Sequence, residues 1–275
     1  MRSLVEAIDR LIEANNALRK RRALAKPERR LALAMARAFR AEERAFLSRL
    51  KEYSGRFPSE SLREIAEPID WEGPFDKAAL ATLNAFARPL DEFTARALAA
   101  GMISGVADLA VETSFTLEHL AAVEYLKTHG SNAVPDLRET TRRRLRPLLV
   151  QAAEEGWSYN RTAKEITSLY KSMAGPPRLT YSPRIRSRAH EIAVYVLGDA
   201  YEHGNMLVAK DLQASGLEMV KKWQSVGDSR VRPAHRANQA QGWISLDASF
   251  QDGSDRPPSD SGCRCTTLLR RKPDA

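Results

Sequence analysis

The sequence predicts an α+β chain: a mainly helical N-terminal and central region, then a small, loop-rich antiparallel β unit at the C-terminus. Two observations carry this. Apolar residues recur at helical spacing through roughly the first two-thirds of the chain. After Gly216 the texture changes to short β-prone runs separated by Gly, Asp, Ser and Pro. The division that follows is 1–115 as a helical N-terminal region, 116–215 as a helical central region, and 216–275 as the β unit.

Taken in order, Leu4, Ile8, Leu11 and Leu18 share one helical face, followed by the basic run Arg19, Lys20, Arg21 and Arg22. Pro27 is expected to start a second helix carrying Leu31, Met35, Phe39, Phe46 and Leu50, which Gly55 and Pro58 end. Ser61 with Glu64 reads as the capping box of a short helix closed by Pro68, and 70–75 as a loop. Helices are expected over 76–87 and 91–113. The second places Leu98, Met102, Val106 and Leu109 on one side, with Gly101 and Gly105 spaced for close helix packing.

Further helices are expected at 118–126, after a turn at 129–132 from Asp136 with Glu139, and after Gly156, where Ser158 is the expected cap. The first of the latter two buries Leu137, Leu145, Leu148, Leu149 and Ala152; the second turns Ala163, Ile166 and Leu169 inward. Residues 172–181 read as a linker. Ser182 and Pro183 then open a long helix with Ile185, Ala189, Ile192, Val196 and Ala200 inward and Gly204 as its C-cap. Strands are expected at 219–226, 243–246 and 265–269.

Composition excludes several classes. The 275 residues suggest about two domains. Two cysteines one residue apart, Cys263 and Cys265, are too close for an unstrained bridge, which excludes a disulfide-stapled secreted scaffold and points to a reducing compartment. No run approaches the ~20 apolar residues of a membrane-spanning helix, and charges stand where a signal peptide would be apolar, so a soluble intracellular product is expected. The formal net charge of +8 suggests contact with a polyanion.

Chemistry concentrates in the C-terminal unit. From Lys221 onward ten Lys/Arg face six Asp and no Glu. His235, Cys263 and Cys265 are three residues of zinc-ligand type, and Asp228 or Asp260 would complete a tetrahedral set. A β unit with few large apolar side chains gains from such a staple, because metal binding there becomes folding energy. The plain alternative is two reduced thiols beside a hydrogen-bonded histidine. A Cys/His nucleophile pair is a third reading, for which the sequence supplies no orienting group or oxyanion hole. Asp228, Arg230, Arg232 and His235 also fit a nuclease, with arginines on a phosphate and His235 as acid or base; a loop held by Asp–Arg hydrogen bonds is the preferred reading. His119, His129, His190 and His203 lack metal-type spacing. Trp157, Trp223 and Trp243 read as core anchors, whereas Trp71 fits either a core or a loop.

Lys222 and Trp223 leading into Gly227-Asp228-Ser229-Arg230-Val231-Arg232-Pro233-Ala234-His235, then Gln241-Gly242, Trp243-Ile244, Phe250, Pro257-Pro258 and Cys263-Arg264-Cys265, resemble the phage Mu F-like domain. That domain belongs to the minor head, or head-morphogenesis, proteins of tailed bacteriophages. Upstream, Glu124-Tyr125-Leu126, Asn132, Thr140-Thr141 and Glu155-Gly156-Trp157-Ser158 are similar to the family's central helices, and 188–204 to its following helix. The likeness covers roughly 115–272. It departs at Asp260, where many relatives carry a histidine, and at Ala193-Val194-Tyr195-Val196, where many read Ala-Arg-Thr-Glu. If zinc is bound, Asp260 is the oxygen substitute for the lost histidine, in a harder ligand set.

The resemblance implies a minor capsid protein that associates with the portal and assists procapsid assembly and DNA packaging or delivery without catalysing a reaction. It marks Trp223, Asp228, Arg230, Arg232, Gly242 and Arg264 as structural motif residues. Portal, capsid or scaffold proteins and packaged double-stranded DNA are the implied partners, with no membrane. The implied location is the virion or procapsid, assembled in the bacterial cytoplasm. Arg19, Lys20, Arg21 and Arg22 are candidate phosphate contacts, as are 142–146 and 184–188. Arg142, Arg143 and Arg144 cannot share one helix face, which favours intramolecular pairing for that run. The alternatives are a nuclease-like enzyme and a basic DNA-binding module.

Overall fold

The computed structural model describes residues 2–54, 71–109, 119–175 and 187–273. The features expected at Gly55, Pro58, Ser61, Glu64 and Pro68, within 110–118 and at Ser182, Pro183 and Ile185 lie outside them, as do the side chains of Leu4, Ile8 and Leu11. The described architecture is the expected one, mainly helical with a three-stranded antiparallel sheet at the C-terminal end.

Helix α1 spans Arg2–Ser54, so the expected break at Pro27 does not occur. A proline inside a helix removes one donor and crowds the carbonyl four residues back. Here Leu24 and Leu31, on either side of it, are 2% and 0% exposed, and that burial outweighs the local cost. Helix α2 is Glu72–Ala81 and α3 is Leu83–Leu109. The expected loop at 70–75 is therefore helical from Glu72, with Pro74 in the first turn, where its missing N–H costs nothing. The break falls at Thr82 rather than near Pro89: the Thr82 hydroxyl donates to the Ala78 carbonyl at 2.9 Å and competes with the helix ladder.

Helix α4 is Leu120–Thr128, followed by a 3-10 turn at Gly130–Ala133. Helix α5 is Val134–Glu154, opening at Val134 with Pro135 in its first turn rather than on an Asp136 cap. Helix α6 is Tyr159–Ala174, and the Ser158 side chain accepts from the Arg161 N–H as its expected cap. Helix α7 is described over Arg188–Ala214. Strands β1 (Met219–Gln224), β2 (Trp243–Ser245) and β3 (Thr266–Arg271) pair in the order β2-β1-β3. Between β1 and β2 lies α8, Pro233–Ala240, where a loop was expected.

Contacts group the chain into two units that interleave in sequence: 1–30, 91–130 and 191–275 in one, 31–90 and 131–190 in the other. The second unit is helical. Phe39 meets Phe86 and Phe46 meets Phe75 edge-on, and Trp71 joins this core beside Phe75. Two arginines of its basic run pair internally, Arg142 with Asp76 and Arg146 with Glu72, while Arg143 and Arg144 are exposed.

In the first unit α3 and α7 cross backbone to backbone. A Cβ on Gly101 would stand 1.9 Å from the Tyr201 carbonyl oxygen, and one on Gly204 2.2 Å from that of Leu98. Gly204 is thus a packing glycine inside α7, not its C-cap, while Gly101 has the packing role expected of it. The sheet face carrying Met219, Leu246 and Leu269 packs on Met206 and Ala209 of α7. Further along the same face, Trp223, Phe250, Cys263 and Cys265 form a second cluster with Ile244 against it. No described helix is long and apolar enough to cross a membrane.

Candidate functional site

The site is built on two loops and α8. Gly227 leads from β1 into Asp228, whose Oδ1 accepts the Arg230 N–H at 3.1 Å, turning the chain toward α8. Pro233 opens α8, and the helix buries His235 and Asn238 on its inner side. The polar side chains of α8 hold the neighbouring loops: Asn238 Oδ1 accepts from the Asp252 N–H, and Gln239 Oε1 from the Ser225 N–H. Gly242 follows α8 at φ +72°, a backbone state that L side chains rarely adopt.

Two aspartate–arginine pairs stitch this loop to the one entering β3. Arg264 donates to Asp228 Oδ2 at 2.7 Å, and Arg232 donates to Asp260 Oδ1 at 2.7 Å and to the Ser261 carbonyl at 2.9 Å. Arg230 also reaches Asp228, at 3.3 Å. The Arg264 guanidinium holds the Asp228 carboxyl below its usual range. The Asp–Arg loop expected from the sequence is what the structure contains.

This frame brings His235, Cys263 and Cys265 together, all buried, with their ligating atoms within 4.8 Å of one another. Nδ1 of His235 lies 3.8 Å from the Cys263 sulfur and 3.6 Å from that of Cys265. Nε2 faces the other way, 3.0 Å from Ser259 Oγ and 3.6 Å from Asp260 Oδ2. Asp260 therefore stands behind the imidazole rather than beside the sulfurs, and Asp228 is engaged by Arg264. Among the described residues the cluster is the three-residue set without either aspartate. Trp223, fully buried, packs its ring 5.2 Å from that of His235 and 5.1 Å from that of Phe250. Hydrogen bonding between the two thiols lowers Cys263 below the usual thiol range and raises Cys265 above it.

Lys20 belongs to this site for a reason the sequence did not disclose. Its ammonium donates to the Cys265 carbonyl at 2.6 Å and to Glu202 Oε1 at 2.7 Å. Glu202 is fully buried and also accepts from Thr266 Oγ1 at 2.6 Å and the Thr267 N–H at 2.8 Å. Of the four candidate phosphate contacts, Arg19 is bound to Asp108 and Lys20 is internal, while Arg21 and Arg22 are exposed. Ser259, Glu202 and the two threonines are the site residues that sequence reasoning missed. Ser259 adjoins Asp260, a candidate ligand, which was the available signal; Glu202 had none.

The remaining histidines lie elsewhere. His129 and His203 stack on opposite sides of Tyr125 at 3.8 and 4.2 Å, and His119 meets Asp211 at 2.8 Å. Trp157 is buried, whereas Trp243 is half-buried with the Arg270 guanidinium 4.0 Å over its ring.

Residues 143–268 match the family described as Phage Mu protein F like protein. The matched span contains α6, α7 and α8 whole, both Asp–Arg pairs and the His–Cys–Cys cluster. No curated protein and no solved structure matches the chain.

Proposed function

We propose, from the Mu F-like segment that the chain carries at residues 143–268, that this phage head-morphogenesis protein docks on the portal and assists procapsid assembly and DNA packaging or delivery without catalysing a reaction. The observation that carries the reading is the match itself, since its span includes the whole C-terminal site. Other features support it. The groups that a nuclease would need free for a phosphate are spent on one another: Arg232 binds Asp260, Arg264 binds Asp228, and His235 Nε2 faces Ser259. A cavity of about 550 Å³ beside β2 is lined by Trp243, Ile244 and Lys272 among others, and by none of His235, Cys263 or Cys265. Exposed arginines, Arg21 and Arg22 in one unit and Arg143 and Arg144 in the other, suit phosphate contact without sequence preference.

Co-sedimentation of the full chain with isolated portal rings tests the reading. The chain is expected to pellet with the rings and to leave added duplex DNA intact. Failure to pellet, together with His235-dependent DNA degradation, would establish the nuclease-like alternative instead.

A further inference from the structure

The geometry points to a divalent metal site, of zinc type, formed by His235 Nδ1 and the thiolates of Cys263 and Cys265. The inference rests on the distances and burial of these three residues and is independent of the portal reading.

Spacing is the first argument. Tetrahedral zinc with bonds of about 2.3 Å to sulfur and about 2.0 Å to nitrogen places the nitrogen about 3.5 Å from each sulfur. The two sulfur–Nδ1 separations here are 3.6 and 3.8 Å. A single ion between the three atoms would meet Nδ1 and both sulfurs at once.

The far side of the ring supplies the second argument. Nε2 faces Ser259 Oγ and the Asp260 carboxylate. The Ser259 hydroxyl, 3.0 Å from Nε2, can accept an N–H there, and that tautomer leaves the Nδ1 lone pair directed at the sulfurs. A carboxylate behind a histidine is the usual outer-shell partner of a ligating imidazole. Arg232 in turn holds Asp260 in place.

Charge is the third. His235, Cys263 and Cys265 are 3%, 4% and 3% exposed, and burying ionised thiolates without compensation is costly. Two thiolates and a divalent cation sum to zero, and the ammonium of Lys20 nearby is neutralised by Glu202. Sulfur and imidazole donors select zinc over magnesium or calcium. Among the described residues no further His, Cys, Asp or Glu joins the cluster.

The test uses the full chain purified under reducing conditions. Emission spectroscopy should find about one zinc per chain, falling at least about tenfold in Cys265→Ser. Because the serine variant can fail to fold, the wild-type chain is also stripped and titrated with Co²⁺. A thiolate-to-cobalt charge-transfer band saturating at about one equivalent is expected, and added zinc should abolish it and slow thiol labelling of the native chain at least about tenfold. A cobalt spectrum without that band, with labelling indifferent to zinc, would overturn the site and leave the two thiols as hydrogen-bonding neighbours of His235.

Discussion

Lys20 and Glu202, 182 positions apart in sequence, form a buried ion pair with Nζ 2.7 Å from Oε1. Each partner makes further hydrogen bonds, Lys20 to the Cys265 carbonyl and Glu202 from Thr266 and Thr267. The pair ties α1 and α7 to the start of β3. Removing one member leaves the other charged, buried and unmatched, which typically costs about 3–5 kcal/mol. Lys20→Met is expected to lower the stability of the unit by that amount in urea denaturation. The double variant Lys20→Met/Glu202→Gln should cost well under the sum of the single changes. Additive effects would mean that the pair is not coupled as described.

Glycine contacts predict opposite signs along one helix. Gly204→Ala drives a methyl into the Leu98 carbonyl, and Gly101→Ala does the same at Tyr201, so each should destabilise by about 3 kcal/mol or more. Gly198 lies in the same α7 with nothing within 4 Å of an added Cβ, so Gly198→Ala should stabilise by about 0.5–1 kcal/mol. Thermal melts of the three variants check the contrast. Equal effects at Gly198 and Gly204 would contradict the crossing.

Glu42 makes the helical unit sensitive to pH. It is 1% exposed, and burial raises its carboxyl from 4.5 to about 7 despite the hydrogen bond donated by Tyr170. The folded pKa lies above the unfolded one, so the contribution is fully present below pH 4.5 and is lost as pH rises through 7. Relative to Glu42→Gln, which can still accept from Tyr170, the wild-type chain should lose on the order of 3 kcal/mol between pH 4 and pH 8. Urea midpoints of both proteins across that range measure it, and a constant difference would refute the assignment.

Pro27 sits inside α1 with buried leucines on either side. Pro27→Ala restores a backbone donor and relieves crowding, and is expected to raise stability by about 1–3 kcal/mol. A loss of stability on that change, read from a thermal melt, would show that the ring contributes more by packing than it costs the helix.

Signals confined to a short stretch of chain were legible in the sequence. Ser158 followed by a helical run named its own cap, the three strands stood out by composition, and Gly101 was spaced for close packing. Cys263, Cys265 and His235 were identifiable because their chemistry is distinctive and their spacing belongs to an extended signature. Contacts settled by distant partners were not legible. Glu202 reads as one more polar residue on a long helix until Lys20 arrives from α1. Gly204 resembles a helix end unless Leu98 is known to pass against it. The turn residues from Gly227 to Pro233 hid α8, although Pro233 followed by alanines, Arg236 and Gln239 is a sound helix start. Asp260 was read as a ligand because its carboxylate would complete the set begun by His235, Cys263 and Cys265, but its loop carries it to the far side of the His235 ring.

The most direct test of the proposed head-assembly role is the amount of this chain in procapsids assembled with and without the portal. Incorporation in particles that contain portal, and its loss from those that lack it, is the expected result. Equal incorporation in both, or exclusion from both, would contradict portal docking as the basis of its function.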